Sequence, residues 1–263
     1  MGLIPAYTLL RVVAAWYFLF APRVLYPFFR ERLHFSKRKA IRSLYVNYYQ
    51  FGQSLIDKVA MMASLPQRFT FDFDGEGHLH DMVEQGRGGL LLSAHIGNWE
   101  IAGHLLQRLK TRIHILMYDG EHERIKHYLE GVTGERSAHI ILIKDDLSHI
   151  YEISNALKNN ELVCMHADRF VEGTRTLETD FLGKRARFPL GPFVLATTYR
   201  VPVSFVFALK ERPTHYHFFA SAPIMAEGRP EMEPLLKAFV AQMEEKVKRY
   251  PEQWYNYYKF WNQ

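Results

Sequence analysis

One stretch decides the fold of this chain: Leu90-Leu91-Leu92-Ser93-Ala94-His95-Ile96-Gly97-Asn98-Trp99-Glu100. Its apolar beginning, residues 90–92, predicts a buried strand, and Gly97-Asn98 predicts a sharp turn. The apolar run from residue 101 then predicts a helix. His95 stands where the strand ends, and Glu100 stands about one turn into the helix. Ligands of open α/β sheets bind at the ends of strands, so we expect a functional site at this turn.

The spacing of His95 and Glu100 needs comparison with chance. With 13 histidines and 28 acidic residues, a histidine followed five residues later by Asp or Glu is expected about 1.4 times, and it occurs twice. The other instance, His114 and Asp119, falls in an apparent strand, where an odd separation places two side chains on opposite faces. The turn between His95 and Glu100 instead allows their side chains to converge, which suits a histidine acting as a general base.

The composition limits the class of protein. The 263 residues suit one α/β domain with a substantial core. A net charge of +5 and a pI of about 9.1 suit an anionic membrane surface or anionic substrates. No nucleic-acid-binding motif is present, so we expect no nucleic acid partner. The lone Cys164 lies in an apolar strand and indicates a reducing compartment without a disulfide scaffold.

The amino-terminal segment is the most apolar part of the chain. Residues 3–29 are interrupted by Arg11 and Arg23, so their longest uncharged runs are about half the length that a spanning helix needs. The segment contains aromatic residues typical of a membrane interface, and a basic run follows it. We predict an anchor lying in the cytoplasmic leaflet, with a single-pass helix and an ordinary buried helix as alternatives. The aromatic and basic residues are Trp16, Tyr17, Tyr26, Arg30, Arg32, Lys37, Arg38, Lys39 and Arg42.

Strand and helix patterns alternate along the remainder of the chain. A helix is predicted over residues 36–64, and strict alternation over residues 69–74 predicts a half-exposed strand at a sheet edge. This rhythm predicts an α/β fold with a mostly parallel central sheet flanked by helices. The further predicted strands are 113–117, 140–143, 162–165, 201–209 and 215–220, and the further helices are 121–130, 147–157 and one opened by Pro234.

A second polar segment closes the strand over residues 162–165: His166-Ala167-Asp168-Arg169. Asp168 and Arg169 are candidates for function because we expect them to share the sheet edge with His95. The following residues are basic and rich in glycine, which suits a loop that binds a phosphate or a carboxylate, although an exposed basic loop is an equal alternative. The basic residues are Arg175, Lys184, Arg185 and Arg187.

A metal site is a rival interpretation of one motif. His78-Leu79-His80-Asp81 has the His-x-His-x-Asp pattern of a binuclear metallohydrolase. That site needs a further histidine directly after the Asp, where this chain has Met82. A glycine-hinged turn entering a helix is therefore the preferred interpretation, and we expect no metal.

Four ordered blocks resemble the bacterial lipid A biosynthesis (lauroyl/myristoyl) acyltransferases, within the wider lysophospholipid acyltransferase group. The first block is the His-x4-Asp/Glu signature, here His95 to Glu100. The others are Ala167-Asp168-Arg169 with the aromatic-glycine segments after it, Val201-Pro202-Val203, and Pro251-Glu252-Gln253-Trp254. Two departures concern the acceptor: Tyr258-Lys259 stands where the family usually has His-Arg, and Glu172-Gly173-Thr174-Arg175 is similar to a block of glycerol-phosphate acyltransferases.

The resemblance implies a glycerolphosphate-acyltransferase-like fold and transfer of an acyl chain from an acyl carrier protein or CoA thioester to a lipid A precursor. His95 would be the general base and Glu100 would hold its tautomer, as in the His-Asp half of a serine-hydrolase triad. Asn98 and Arg169 would stabilise the oxyanion, alongside the backbone amides of Gly97-Asn98. In the resembling glycerol-phosphate block, the arginine that matches Arg175 holds the phosphate, and Asp168 would also contact substrate.

The implied organisation is a membrane-anchoring segment over residues 1–35 and a catalytic domain over residues 36–263. The implied location is the cytoplasmic face of the cell inner membrane, and no cofactor is expected beyond the thioester. Three alternatives stay open: an acyltransferase for another lyso-lipid or an aminolipid, a thioester or lipid hydrolase of the same geometry, and a membrane-binding protein that has lost activity.

Overall fold

The computed structural model describes residues 2–62, 68–99, 101, 108–118, 138–143, 146 and 148–261. Its helices are α1 (Leu3–Phe20), α2 (Lys37–Met62), α3 (Glu76–Glu84), α4 (Ser148–Lys158), α5 (Gly191–Tyr199) and α6 (Met232–Arg249). Its strands are β1 (Thr70–Asp74), β2 (Gly89–Ser93), β3 (Ile113–Tyr118), β4 (Ala138–Ile143), β5 (Leu162–His166), β6 (Thr176–Phe181), β7 (Lys184–Pro189), β8 (Pro202–Arg212), β9 (His215–Ala220) and β10 (Ile224–Met225).

The central sheet of the described residues has the order β1-β9-β8-β2-β5-β3-β4, and β10 pairs with β8. Pairing is parallel from β8 through β4 and between β1 and β9, whereas β8 pairs antiparallel with β9 and with β10. The predicted mostly parallel sheet flanked by helices is therefore confirmed, and β1 lies at the predicted edge. The predicted helix over residues 121–130 lies outside the described residues.

Two apolar layers cover the sheet, because side chains of its central strands alternate between the faces. On one face, Leu91 of β2 packs with Leu79 and Met82 of α3. On the other face, Leu90 and Leu92 belong to the main core, which includes residues of α5, α6 and the carboxyl-terminal tail. The continuous apolar run of β2 is what a strand buried on both sides requires.

One element departs from the sequence prediction. The basic, glycine-containing segment is not a loop but the antiparallel hairpin of β6 and β7, which turns at Leu182-Gly183. Charged residues alternate with buried ones along it, so that Phe181 and Phe188 enter the core while Lys184 and Arg185 remain exposed. The many charges concealed this alternation in the sequence.

Candidate active site

The turn after β2 places His95 outside the regular strand pairing of the sheet. Pairing between β2 and β8 joins Leu92 to Phe205 and resumes where Gly97 meets Ala208. The chain of β2 thus advances five residues while β8 advances three, so two extra residues bulge outward at the carboxyl edge. His95 lies within this bulge, which directs its side chain away from the regular pleat.

Gly97 makes the close approach to β8 possible. Its φ is +73°, and a Cβ at this position would lie 2.0 Å from the carbonyl oxygen of Ala208. The carboxyl-terminal tail holds the other side of the turn: Gly97 N–H donates to the Gln253 carbonyl at 2.9 Å, and Tyr255 N–H donates to the His95 carbonyl at 3.0 Å. The backbone around His95 is therefore fixed from two sides.

Asp168 is fully buried and binds His95 with both carboxylate oxygens. Its Oδ1 lies 2.8 Å from His95 Nδ1, and its Oδ2 accepts a hydrogen bond from the His95 backbone N–H at 2.9 Å. Burial alone would raise the pKa of Asp168, but the charge and hydrogen bond of His95 lower it well below its ordinary value, assisted by His166 and Arg169. An ionised Asp168 fixes the proton of neutral His95 on Nδ1 and leaves Nε2 as the basic nitrogen.

His166 is a second histidine in contact with His95. Its position at the end of β5 pairs with Ser93 of β2, and its ring centroid lies 4.2 Å from that of His95. The edge of Trp99 packs on it, with centroids 5.1 Å apart. Burial, and next the charge of His95, lower the pKa of His166 to about 3. His166 is therefore neutral at physiological pH.

Arg169 brings a positive charge to the same edge. Its Nη2 donates to the Tyr255 carbonyl at 2.6 Å, and its guanidinium lies 5.4 Å from the ring centroid of Tyr258. Its Nε is buried and has no hydrogen-bond partner. The side chain lines the cavity described below, where a guanidinium can attract an anionic group.

Asn98 is engaged in holding the turn. Its Nδ2 donates to the Ser54 carbonyl at 3.1 Å and to Tyr216 Oη at 3.3 Å, and its backbone N–H donates to the Ala208 carbonyl at 2.8 Å. The side chain is buried. A direct contact between Asn98 and a substrate thus stays a prediction, while its contacts to α2 and β9 are part of the fold.

Behind Asn98 lies a buried ionic cluster that the sequence did not reveal. Asp57 of α2 binds Lys210 Nζ of β8 at 2.5 Å and accepts hydrogen bonds from the hydroxyls of Tyr216 and Tyr7. Burial lowers the pKa of Lys210, although Asp57 opposes this effect. Because Tyr7 belongs to α1 and Tyr216 touches Asn98, the cluster connects the amino-terminal helix to the turn.

A cavity of about 560 Å³ opens beside His95, within the size range of small-molecule sites. Ser93, His95, His166 and Arg169 are polar residues at one end of it, and its lining also includes the charged Lys58, Asp74 and Glu76. The other walls are mainly apolar and come from α2, α3, the carboxyl-terminal tail and the sheet face that α3 covers. They include Leu79, Leu91, Ile115, Cys164, Val206 and Ala220.

His95, His166 and Asp168 also offer one potential metal-ligand atom each within 4.8 Å of one another. Both Asp168 oxygens already bind His95, which leaves this group better suited to orienting an imidazole than to holding a cation. His78, His80 and Asp81 of the rival metal motif lie on α3, where His80 faces Glu76 at 3.9 Å.

The remaining predicted site residues lie elsewhere. Arg175 is exposed before β6 and is not among the residues that line the cavity. Glu100 lies outside the described residues, so its contact with His95 stays a prediction. Asp119 also lies outside them, while His114 pairs with Glu161 at 2.6 Å.

Comparisons with known proteins identify the family of this chain. Residues 34–263 match the model of the bacterial lipid A biosynthesis acyltransferase family. The phosphatidylinositol mannoside acyltransferase of Mycobacterium tuberculosis H37Rv is 34% identical over 128 residues, which cover 46% of this chain and 39% of that protein. Its counterpart in Mycolicibacterium smegmatis is 29% identical over 124 residues, covering 45% and 39%. The match thus spans about two fifths of these curated relatives.

The solved 1-acyl-sn-glycerophosphate (LPA) acyltransferase of Thermotoga maritima superposes with a TM-score of 0.46 and 15% identity, covering 95% of this chain and 100% of that one. Because this score is low, the fold is assigned from the sheet topology described above and not from the superposition. The family match, in contrast, runs through every block of the predicted site and to the last residue of the chain. By that match, this chain belongs to the bacterial lipid A biosynthesis acyltransferase family.

Proposed function

We propose that this chain transfers a fatty acyl group from an acyl thioester to a hydroxyl or an amine of a membrane lipid. The observation that carries the proposal is the His95–Asp168 pair on the wall of a mainly apolar cavity. A buried carboxylate that orients a histidine supplies a general base, and apolar walls suit a hydrocarbon chain. Membership of an acyltransferase family supports the same chemistry.

In the proposed reaction, His95 Nε2 accepts the proton of the acceptor hydroxyl as the hydroxyl oxygen attacks the thioester carbonyl carbon. Asp168 stabilises the resulting imidazolium, as the carboxylate does in a Ser-His-Asp triad. Collapse of the tetrahedral intermediate breaks the carbon–sulfur bond, and the departing sulfur takes the proton from His95. A positioned base of this kind contributes about 10²–10⁴ in rate.

We expect the donor to be an acyl carrier protein or CoA thioester, with no further cofactor. For the acceptor, the family name suggests a lipid A precursor, and the names of the mycobacterial relatives suggest a mannosylated phosphatidylinositol. Another lyso-lipid or an aminolipid would suit the same base. Arg169, together with the exposed Arg175, would attract the anionic groups of either substrate.

The amino-terminal helix supports a membrane location. α1 is long and apolar enough to cross a membrane, with a mean hydropathy of 1.6. The charged Arg11 interrupts its apolar sequence near the middle. Phe51 and Leu55 of α2 line the cavity and are also exposed, so a lipid acceptor can approach from the bilayer. We propose that residues 1–35 anchor the domain of residues 36–263 at the cytoplasmic face of the inner membrane. The exposed apolar residues of α1 are Ile4, Leu9, Val12, Val13, Trp16, Tyr17, Leu19 and Phe20.

The test uses the purified full chain in vesicles made from a bacterial lipid extract. Radiolabelled hexadecanoyl-CoA and hexadecanoyl acyl carrier protein are supplied separately, and products are separated into acylated lipid and free fatty acid. We expect labelled lipid from the wild type and none above background from His95→Ala. His139→Ala is the matched control, because His139 is an exposed histidine on β4 that does not line the cavity.

Three results would contradict the proposal. Free fatty acid as the main product would identify a hydrolase, and unconsumed thioester would identify a binding protein without activity. Full turnover by His95→Ala would exclude the base. Mass spectrometry of the labelled lipid then identifies the acceptor.

A further inference from the structure

The tetrahedral intermediate of the proposed reaction carries a negative oxygen that needs hydrogen-bond donors. Several hydrogen-bond donors of the turn after β2 already have acceptors. The N–H groups of Gly97 and Asn98 donate to the carbonyls of Gln253 and Ala208, and Asn98 Nδ2 donates to Ser54 and Tyr216. The donors of Gly97 and Asn98 are therefore already engaged in holding the turn.

His166 has a ring nitrogen that is not engaged in this way. The side chain lines the cavity, and its Nδ1 is buried without a hydrogen-bond partner. Within the described part of the chain, no hydrogen bond reaches either ring nitrogen. Nδ1 is the nitrogen enclosed by protein, which leaves Nε2 as the nitrogen that could serve a ligand in the cavity lined by His166.

The protonation state of His166 follows from its neighbours. Among the described residues, its ring contacts are the tilted ring of His95 and, edge to face, the ring of Trp99, and it lies in the fields of Asp168 and Arg169. Both oxygens of Asp168 are bound to His95, so among the residues that the structure describes His166 has no carboxylate of its own to stabilise a charge. A proton on Nδ1 would be a buried donor without an acceptor, whereas a proton on Nε2 faces the cavity.

We propose that His166 is a second catalytic histidine, which stays neutral and donates its Nε2–H to the carbonyl oxygen of the acyl thioester. This inference rests on the proposed acyl transfer and adds a residue to it. When the acceptor oxygen attacks, the π electrons of the carbonyl move to its oxygen, and the proton of the acceptor goes to His95. The oxyanion keeps the hydrogen bond from His166, which gives up no proton and recovers its ground state when the carbon–sulfur bond breaks.

The contact between the two tilted rings, whose centroids lie 4.2 Å apart, gives each ring a separate role. Asp168 makes His95 the ring that takes up a proton, and a neutral His166 places an aromatic ring beside the imidazolium that forms. Two titratable groups in contact, held in different protonation states by their surroundings, are a common arrangement for dividing basic and electrophilic roles.

Two substitutions of His166 distinguish the effect of its hydrogen bond from the effect of its ring contact with His95. His166→Gln keeps an N–H near the position of Nε2 but removes the ring, and His166→Phe keeps the ring but removes both nitrogens. In the vesicle assay we expect His166→Phe to lower kcat by about 10²–10³ with little change in KM, as for the loss of one oxyanion donor. We expect His166→Gln to lose less than tenfold in kcat, and both variants to keep the wild-type dependence of rate on pH.

His139→Gln and His139→Phe control for the loss of a histidine at an exposed site, and thermal melting shows whether each variant folds. Full activity in His166→Phe would exclude the donor. Activity retained by His166→Phe but lost by His166→Gln would assign His166 to ring stacking alone. Equal losses in two folded variants would also overturn the inference.

The tautomer is measured independently of turnover. Ring-nitrogen NMR of the labelled full chain in detergent micelles, assigned with His166→Gln, should show an Nε2–H tautomer from pH 5.5 to 8. An Nδ1–H tautomer or an imidazolium at pH 7 would overturn the inference. If the wild type makes no acylated lipid, the proposed function fails, and this measurement still decides the state of His166.

Discussion

Asp168 binds His95 twice, once at the ring Nδ1 at 2.8 Å and once at the backbone N–H at 2.9 Å. One carboxylate therefore fixes both the tautomer of the imidazole and the position of the bulge that carries it. Glu100, five residues after His95, was the partner expected from the motif, and it lies outside the described residues. The division of roles between these two carboxylates is open to a direct experiment.

We predict that Asp168→Asn lowers kcat by about 10³–10⁴, because an asparagine in this place favours the wrong tautomer of the histidine, as in the Ser-His-Asp enzymes. The measurement is the initial rate of lipid acylation at saturating thioester. Glu100→Gln is the matched comparison. If Glu100→Gln abolishes transfer while Asp168→Asn retains it, Asp168 is not the residue that orients the base.

The second prediction concerns stability against pH. Burial and the charge of His95 lower the pKa of His166 from 6.5 to about 3, so the unfolded chain binds a proton there more readily than the folded chain. The contribution of His166 to the free energy of unfolding is fully present above pH 6.5. It falls by up to about 1.4 kcal/mol per pH unit as the pH drops toward 3. The lowered pKa of Asp168 also makes stability fall with falling pH, but only below the ordinary pKa of the group, 3.8.

Urea unfolding in detergent micelles between pH 7 and 4.5 measures this slope. We expect His166→Phe to have a shallower slope than the wild type, because it cannot take up the proton on unfolding. His139→Phe, which removes an exposed histidine, should keep the wild-type slope. Parallel slopes for the wild type and His166→Phe would contradict the lowered pKa of His166.

The third prediction concerns the close approach at Gly97. We expect Gly97→Ala to destabilise the protein by more than about 2 kcal/mol, because it adds a collision with Ala208 to the cost of about 1–2 kcal/mol for a left-handed alanine. Gly183→Ala is the matched control: its φ is +72°, but no atom lies within 4 Å of the added Cβ. Equal unfolding free energies for the two variants would show that β8 does not constrain the turn.

Local patterns predicted the parts of this structure that depend on neighbouring residues. The apolar run of β2 and the turn at Gly97 are short-range features, and parallel pairing of β2 with β5 then placed His95 and Asp168 at one edge. No local pattern predicts the isolated β-bridge between Trp254 and Ile96, because this contact joins positions more than 150 residues apart.

The buried Asp57–Lys210 pair shows a second limit of sequence reasoning. Asp57 is followed by Lys58 in α2, and Lys210 is followed by Glu211 in β8, so neither residue stands out in its own element as a charge paired inside the fold. The partner of each charge is set by how α2 crosses β8 and β9, and no spacing within either segment encodes that crossing. The contacts of Tyr7 and Asn98 with this cluster were unpredictable for the same reason.

The last prediction tests the cavity as the site of the acyl chain. Cys164 lies on β5 two residues before His166 and lines the cavity, so a bulky residue there would obstruct it about 7 Å from the reacting end, at roughly 3.3 Å per strand residue. We expect Cys164→Phe to reduce kcat/KM for hexadecanoyl thioesters at least tenfold more than for butanoyl thioesters, whose chain is too short to reach the obstruction. Burial raises the pKa of the Cys164 thiol to about 12, so the thiol is neutral and Cys164→Ala should retain activity with the long-chain donor. Equal losses for both donors in Cys164→Phe would show that the acyl chain binds elsewhere. An inactive Cys164→Ala would show that the thiol takes part in the reaction, which its burial opposes.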